Sequence, residues 1–293
     1  MNQLYYIFFS LRPKQWVKNF FIFLPLLFSK KIFNYDDCVM AVMAFVVFSL
    51  FSGAVYLFND ILDYKKDRLH PYKCRRPIAS GKLQLNFAWF ASLAILVMAT
   101  FISSFISVHL TNIALFYFSL NIAYSLKLKK VVIIDVLCIA AGFVLRVIAG
   151  SVVISVKASH WLLMCAFLIS IFIGFCKRRA ELTSLNENAN GHREVLEHYN
   201  VAFLDQMIVI STSATLMSYA LYTMSSETID KFGTQNLIYT VPFVLYGIFR
   251  YLYVVYKKRL GMSPTEAVLT DIPIILCVIC WFLLSGAIIF KIL

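Results

Sequence analysis

Long apolar runs dominate this chain, and short polar breaks separate them. Nine runs are long enough, or nearly so, to cross a bilayer: residues 16–33, 38–58, 86–108, 110–126, 131–156, 160–176, 203–224, 236–256 and 270–291. Each reads as a helix, because backbone in hydrocarbon must satisfy its own hydrogen bonds. The first run is the weakest, since Lys18 and Pro25 interrupt it. Met1–Ser10 is apolar and aromatic and suits the membrane interface ahead of that run. No small-residue cleavage pattern follows a short apolar core, so no cleaved signal is expected. The expected fold is all-α: a polytopic membrane protein of about nine transmembrane helices, one domain over residues 1–293.

Composition agrees with this reading. Hydrophobic residues make up 61% of the chain and charged residues 14%, which excludes an ordinary soluble domain. The net charge of +12 is explained by topology. With the N-terminus in the cytoplasm, twenty Lys and Arg fall in inside segments and five in outside ones. The basic balance therefore gives no reason to expect nucleic acid as a partner. Seven scattered cysteines imply no disulfide framework, and Cys277 and Cys280, a CxxC on the last apolar run, read as apolar packing.

The two longest polar connections are 59–85 and 177–202. The first opens with Asn59, Asp60, Asp63 and Asp67, which fall within an arc of about 100° on a helix. Clustered carboxylates repel unless a cation compensates them, and they suit a hard divalent ion such as Mg²⁺. Lys65, Lys66, Arg68, His70, Lys73, Arg75 and Arg76 follow directly, and clustered basic side chains hold phosphate. Carboxylates and bases together describe a site for a magnesium-bound diphosphate. Pro71, Pro77 and Gly81 stop the helix and give a fixed turn that aims Lys73, Arg75 and Arg76 at one target. His70 either contacts phosphate or caps that turn.

Further charges lie within or beside the apolar runs. Lys177, Arg178, Arg179 and Glu181 follow the sixth run, either as positive-inside punctuation or as a second phosphate clamp. Arg146 sits mid-span in AAGFVLRVIAG, where a charge normally faces a polar cavity or a partner. Asp135 lies about three turns earlier on nearly the same side, so Arg146 either faces substrate or pairs with Asp135. Tyr124, Lys127 and Lys129 precede that span. Arg250 and Asp271 either pair or line the cavity. Lys18, with Arg12, Gln15 and Asn19 on one helix face, either snorkels or contacts substrate.

The ordered set of LRPKQWVKN (11–19), NDILDYKKDRLHPYKCRRPIASG (59–81), YSLKLKKVVIIDVL (124–137), GFVLRVIAG (142–150), KRRAEL (177–182) and FRYLYVVY (249–256) resembles the UbiA superfamily of intramembrane prenyltransferases. The NDxxDxxxD after the second run is similar to that superfamily's first Asp-rich motif. The set is nearest to the branch of polyprenyl-phosphate (decaprenyl-phosphate) phosphoribosyltransferases. Prenyl-diphosphate enzymes of the superfamily usually carry a second DxxxD-type motif after the sixth span; here KRRAEL stands there, with Glu181 its only acid.

The resemblance implies a UbiA-like helical bundle with an active-site cavity facing the cytoplasm of the bacterial inner membrane. It implies Mg²⁺-dependent transfer of phosphoribosyl from 5-phosphoribosyl diphosphate to a membrane polyprenyl phosphate, releasing diphosphate, for cell-envelope glycan precursors. Asp60, Asp63 and Asp67 are then the catalytic residues, and with Asn59 the metal ligands. Lys18, Asn59, Arg68, Lys73, Arg75, Arg76, Tyr124, Lys129, Asp135, Arg146, Lys177, Arg178, Arg179 and Glu181 are the candidate substrate-binding residues. The competing enzyme reading is a UbiA prenyltransferase that moves a prenyl chain onto an aromatic or other small acceptor. A transporter for an anionic solute leaves the Asp-rich motif unexplained and lacks the paired repeats such proteins show. The sequence leaves chain length, stereochemistry and oligomeric state open.

Overall fold

A computed structural model describes residues 3–69, 73–185, 194–257 and 264–292; His70 and Pro71 lie outside them. The described residues are helical, with no strand among them. In order they form α1 (Gln3–Ser10), a 3-10 stretch (Pro13–Phe23), α2 (Leu24–Phe28), α3 (Tyr35–Arg68), α4 (Leu85–Ile106), α5 (Val108–Leu126), α6 (Ile134–Val153) and α7 (His160–Leu185). There follow α8 (Val201–Met224), α9 (Ser226–Phe232), α10 (Val241–Lys257), α11 (Pro264–Thr270) and α12 (Ile272–Ile289).

Seven of the described helices are long and apolar enough to span a membrane, which makes this a multi-pass membrane protein but does not reach the nine expected. Two runs account for the difference. The run 16–33 is no continuous helix: the 3-10 stretch carries Lys18 and Asn19, then the five-residue α2 ends it. Pro13 and Pro25 lack the N–H that a continuous α-helix needs, although each is tolerated in a first turn. The run 110–126 is a helix, but α5 carries His109, Thr111, Asn112 and Asn121 and is less apolar than the seven.

α3 governs the placement of the site. Its 34 residues span about 51 Å, so the polar segment from Asn59 to Arg68 continues a membrane helix and forms no separate loop. Asn34 caps its start by accepting from the Asp37 N–H, with Asp36 and Asp37 in the first turn. Lys65, Lys66 and Arg68 occupy the last turn, so charge complements the helix dipole at both ends.

Close backbone approach brings the broken N-terminal stretch against this bundle. Gly150 on α6 lies so near Ile22 that a Cβ there would fall on the Ile22 carbonyl. Ile22 is fully buried with Val47, Phe48 and Phe51 of α3 and Tyr117 of α5. A second core joins α6, α7, α8 and α10 around Phe172, Leu204 and Tyr251. Between these cores lies a cavity of about 1230 Å³, bordered by the 3-10 stretch, α3, α5, α6, α7, α10 and α12.

Candidate active site

The cavity has one polar end, and α3 supplies its carboxylates. Asn59, Asp63 and Asp67, spaced by four residues, share a helix face and line the cavity. Asp60 is turned inward and only 2% exposed. It accepts from Arg12 Nη2 at 2.5 Å and from Arg76 Nη1 at 3.0 Å. Arg76 Nη1 also donates to Asp67 Oδ2 at 2.6 Å. Lys129 Nζ, from beyond α5, donates to both oxygens of Asp63 at 3.2 and 3.3 Å. The bases expected to bind phosphate thus also neutralise the carboxylates that would bind metal.

The expected basic residues separate into two groups. Lys18, Lys73, Arg76, Lys129, Arg146 and Lys177 line the cavity. Arg68, Arg75, Arg178 and Arg179 do not line it. Arg68 Nε donates to the Ala79 carbonyl at 3.2 Å and the guanidinium stacks on Tyr64, which fastens the end of α3 to the following turn. Arg75 is exposed on the 3-10 turn Lys73–Arg75. Arg179 donates to Asp205 at 2.5 Å and lies 3.8 Å over the Tyr256 ring, joining α7 to α8 and α10.

Arg178 departs furthest from a phosphate-clamp role. Its side chain is fully buried and donates to Asp135 at 2.5 Å, to Glu181 at 2.6 Å and to the Tyr124 hydroxyl at 3.1 Å. Asp135 is therefore paired with Arg178 and does not reach Arg146. Tyr199 closes the cluster: its hydroxyl donates to Asp135 Oδ1 at 2.9 Å and accepts from the Ile133 N–H at 2.7 Å. Burial foremost, and the Asp135 charge, push the Tyr199 phenol above its usual range, so it remains a donor. Ile133 needs that anchor, because at φ 68° it holds a backbone conformation costly for a β-branched residue. Glu181 also lies 3.8 Å from Lys177, the neighbour of Arg178 on α7, which faces the cavity. Tyr124 does both tasks, since it lines the cavity too.

Arg146 lies deeper. It is 4% exposed and donates to Asn19 Oδ1 at 2.7 Å, the Gly142 carbonyl at 2.7 Å and the Tyr117 hydroxyl at 2.9 Å. All three acceptors are neutral. Arg250 and Asp271 pair with each other through two bonds of 3.0 and 3.1 Å.

Sequence reasoning left Tyr117 and Asn121 out of the site and placed Arg12 beside Lys18 without giving it a role of its own. Tyr117, Asn121 and Tyr124 lie four and three residues apart along α5, one polar face within an apolar helix, and all line the cavity. That spacing was a signal in the sequence. Arg12 is carried into place by a left-handed backbone (φ 53°) ahead of Pro13 and stacks on Tyr56.

The residues on α3 suit a hard cation. Among the described residues no three of His, Cys, Asp and Glu form a preformed metal cluster. Asn59 Oδ1, however, is buried without a hydrogen-bond partner among the described residues, beside the carboxylates of Asp63 and Asp67 on the same face. Those three donors are all oxygen. Mg²⁺ commonly takes only one or two carboxylates and completes its shell with water and phosphate oxygens.

The model of the UbiA prenyltransferase family matches residues 20–265. The chain belongs to this family. It is accordingly an enzyme of the UbiA superfamily. A decaprenyl-phosphate phosphoribosyltransferase of Corynebacterium glutamicum is 34% identical over 268 residues, covering 89% of this chain and 80% of that protein. A protein of the same description from Mycobacterium tuberculosis is 29% identical over 282 residues, covering 95% and 92%. Among solved structures, a UbiA homolog from Archaeoglobus fulgidus bound to GPP and Mg²⁺ superposes with a TM-score of 0.72 at 17% identity, over 97% of this chain and 99% of that one. The bundle is thus the UbiA fold, as the motifs implied.

Proposed function

We propose that this member of the UbiA family transfers the 5-phosphoribosyl group of 5-phosphoribosyl diphosphate to a polyprenyl phosphate, at a cytoplasmic-facing mouth in the bacterial inner membrane. One observation favours this over prenyl transfer to an aromatic acceptor. Where a second carboxylate pair would face the cavity from α7, Lys177 faces it instead, and Glu181 is bound to Arg178. A single carboxylate face with cations around it suits a donor that carries an additional phosphate. The decaprenyl-phosphate phosphoribosyltransferases similar to this chain support the same substrates.

Asn59, Asp63 and Asp67 would hold Mg²⁺, which when bound neutralises diphosphate charge. The chain's own residues do the rest. Lys73, Arg76, Lys129 and Lys177 ring the mouth and orient an anionic donor. Arg12 and Arg76 hold Asp60 and thereby fix the end of α3. An oxygen of the acceptor phosphate forms the bond to ribose C1, the bond from C1 to the diphosphate oxygen breaks, and diphosphate leaves with the electron pair. The acceptor is already an anion at neutral pH, so no strong general base is needed. Positioning and electrostatics account for the rate. The product is a lipid-linked phosphoribose suited to cell-envelope glycan synthesis.

The test is an assay of purified protein in detergent with Mg²⁺, ribose-labelled phosphoribosyl diphosphate and polyprenyl phosphates of several lengths. Mg²⁺-dependent movement of label into the lipid phase is expected. Absence of labelling, alongside turnover of a prenyl diphosphate with an aromatic acceptor, would replace this reading with the prenyltransferase one.

A further inference from the structure

Two cations lie in the cavity with no acid to balance them among the described residues. Arg146 engages each of its three nitrogens with a neutral acceptor and has no carboxylate partner among the described residues. An arginine has five N–H donors, so two remain after those bonds. Lys18 also lines the cavity and has neither hydrogen bond nor ion pair among the described residues. It is deeply buried, and the positive charges of Arg146 and Arg12 act on it, opposed by the Tyr117 hydroxyl. Buried charges are ordinarily paired, and unpaired ones within a membrane protein mark a site. Arg146 is held in place by the fold. Asn19, next in sequence to Lys18, accepts from Arg146 while donating to Ser49 at 2.9 Å. Tyr117, the other side-chain acceptor, also meets the Ser52 hydroxyl at 3.3 Å.

This place differs from the polar mouth in depth and in surroundings. From Ser52, the level of the Tyr117 hydroxyl, the donors Asn59, Asp63 and Asp67 lie seven, eleven and fifteen residues along α3, about 10, 16 and 22 Å along the axis, so the near edge of the mouth stays within reach of an acceptor seated here. Beyond Arg146 the cavity wall turns apolar: Phe21 packs on Phe143 with ring centroids 4.8 Å apart, and Trp161, Tyr222 and Trp281 follow. A donor carrying several phosphates and ribose hydroxyls needs polar contacts on all sides, which only the mouth offers. A phosphate monoester on a hydrocarbon chain needs cations at its head and apolar walls along its tail.

Resting on the phosphoribosyl-transfer reading above, we infer that Lys18 and Arg146 form the seat of the acceptor's phosphate monoester, separate from the diphosphate seat at Asn59, Asp63 and Asp67. Lys18 and Arg146 bind the phosphate directly. Asn19 and Tyr117 are positioning residues that orient Arg146. The acceptor then takes its place without donor or metal, with its phosphate pointing toward the mouth and its isoprenoid chain along the apolar wall. Phosphate carried by the donor at its ribose 5-position has the same chemistry, so the experiment must separate the two sources.

The experiment measures equilibrium binding of a polyprenyl phosphate, the corresponding polyprenol and 5-phosphoribosyl diphosphate to purified full-length protein, with EDTA present. The wild type should bind the polyprenyl phosphate at least about tenfold more tightly than the alcohol, the factor one charged contact of about 1.4 kcal/mol supplies. Lys18→Met and Arg146→Gln should each lose that preference and keep the weaker affinity for the alcohol, which also shows that they fold. Arg146→Lys should restore part of it, and Asp63→Asn should leave it intact. Equal phosphate preference in Lys18→Met and the wild type overturns the site. Loss of preference in Asp63→Asn overturns its separation from the mouth. Loss of donor binding alone in the Lys18 and Arg146 variants assigns the cations to the donor's 5-phosphate and overturns the assignment to the lipid. Failure of the wild type to bind polyprenyl phosphate, with tight binding of a prenyl diphosphate, instead sinks the underlying phosphoribosyl-transfer reading.

Discussion

Arg178 donates to Asp135 across 2.5 Å, and neither side chain has exposed surface. That pair joins α6 to α7 one residue away from Lys177, which faces the cavity. It is a structural element beside the site, and its removal should be felt as stability. Breaking a buried ion pair by deleting one partner costs about 3–5 kcal/mol, because the other charge stays buried. Asp135→Asn and Arg178→Met should each lower the thermal midpoint in detergent by many degrees, and the double variant should recover part of the loss. A single variant as stable as the wild type would remove this pair from the account.

Asp63 and Asp60 should behave differently. Asp63 is one-third exposed in the cavity and, among the described residues, pairs with Lys129 alone. Asp63→Asn should lower kcat at least about a hundredfold, the scale of losing one electrostatic contact to a developing charge, with an unchanged midpoint. Asp60→Asn should lose both activity and stability, because Arg12 and Arg76 lose their shared buried acceptor. Steady-state rates and thermal unfolding on the same preparations distinguish the two.

Chelation should stop turnover and leave the fold intact. The α3 carboxylates already have cationic partners, Asp67 in Arg76 and Asp63 in Lys129, so no uncompensated cluster is left without metal. Circular dichroism and the thermal midpoint should not change with EDTA, while labelling of lipid should cease and return with added Mg²⁺. A large drop in midpoint on chelation would show that a metal holds the fold itself.

Gly150→Ala should displace the N-terminal stretch. The added methyl meets the Ile22 carbonyl, a backbone atom that cannot turn away. Overpacking of this kind costs about 1–3 kcal/mol. Lys18 and Asn19 ride on the same stretch, so the variant should also raise KM for the lipid acceptor more than for the donor. Unfolding curves and the two KM values check both parts.

Much of this arrangement was legible in the sequence, because it rests on local periodicity. The four-residue spacing of Asn59, Asp63 and Asp67 sets a polar face on a helix, and a charge such as Arg146 within an apolar run announces a cavity or a partner. What was not legible depends on rotation and on distant neighbours. An arc of about 100° contains both Asn59 and Asp60 but does not say which edge meets the cavity; packing turned Asp60 toward Arg12 and Arg76. Lys177 and Arg178 differ by the same angle, and only the contact of α6 with α7 decides that Arg178 is buried. Asp135 stands on nearly the same side of α6 as Arg146 but about three turns away, and it pairs across helices with Arg178. The run 16–33 read as a span because its residues are apolar, while Pro25, Lys18 and the close approach of Gly150 are met by a broken stretch.

Phosphorus NMR of one reaction mixture tests the central claim most directly, because it follows the atoms that the transfer rearranges. Protein, Mg²⁺, 5-phosphoribosyl diphosphate and polyprenyl phosphate should convert the acceptor's monoester signal into a phosphodiester, with one free diphosphate released for each diester formed. A monoester signal that persists while the donor is hydrolysed, or that is unaffected while a prenyl diphosphate is consumed in its place, would contradict phosphoribosyl transfer.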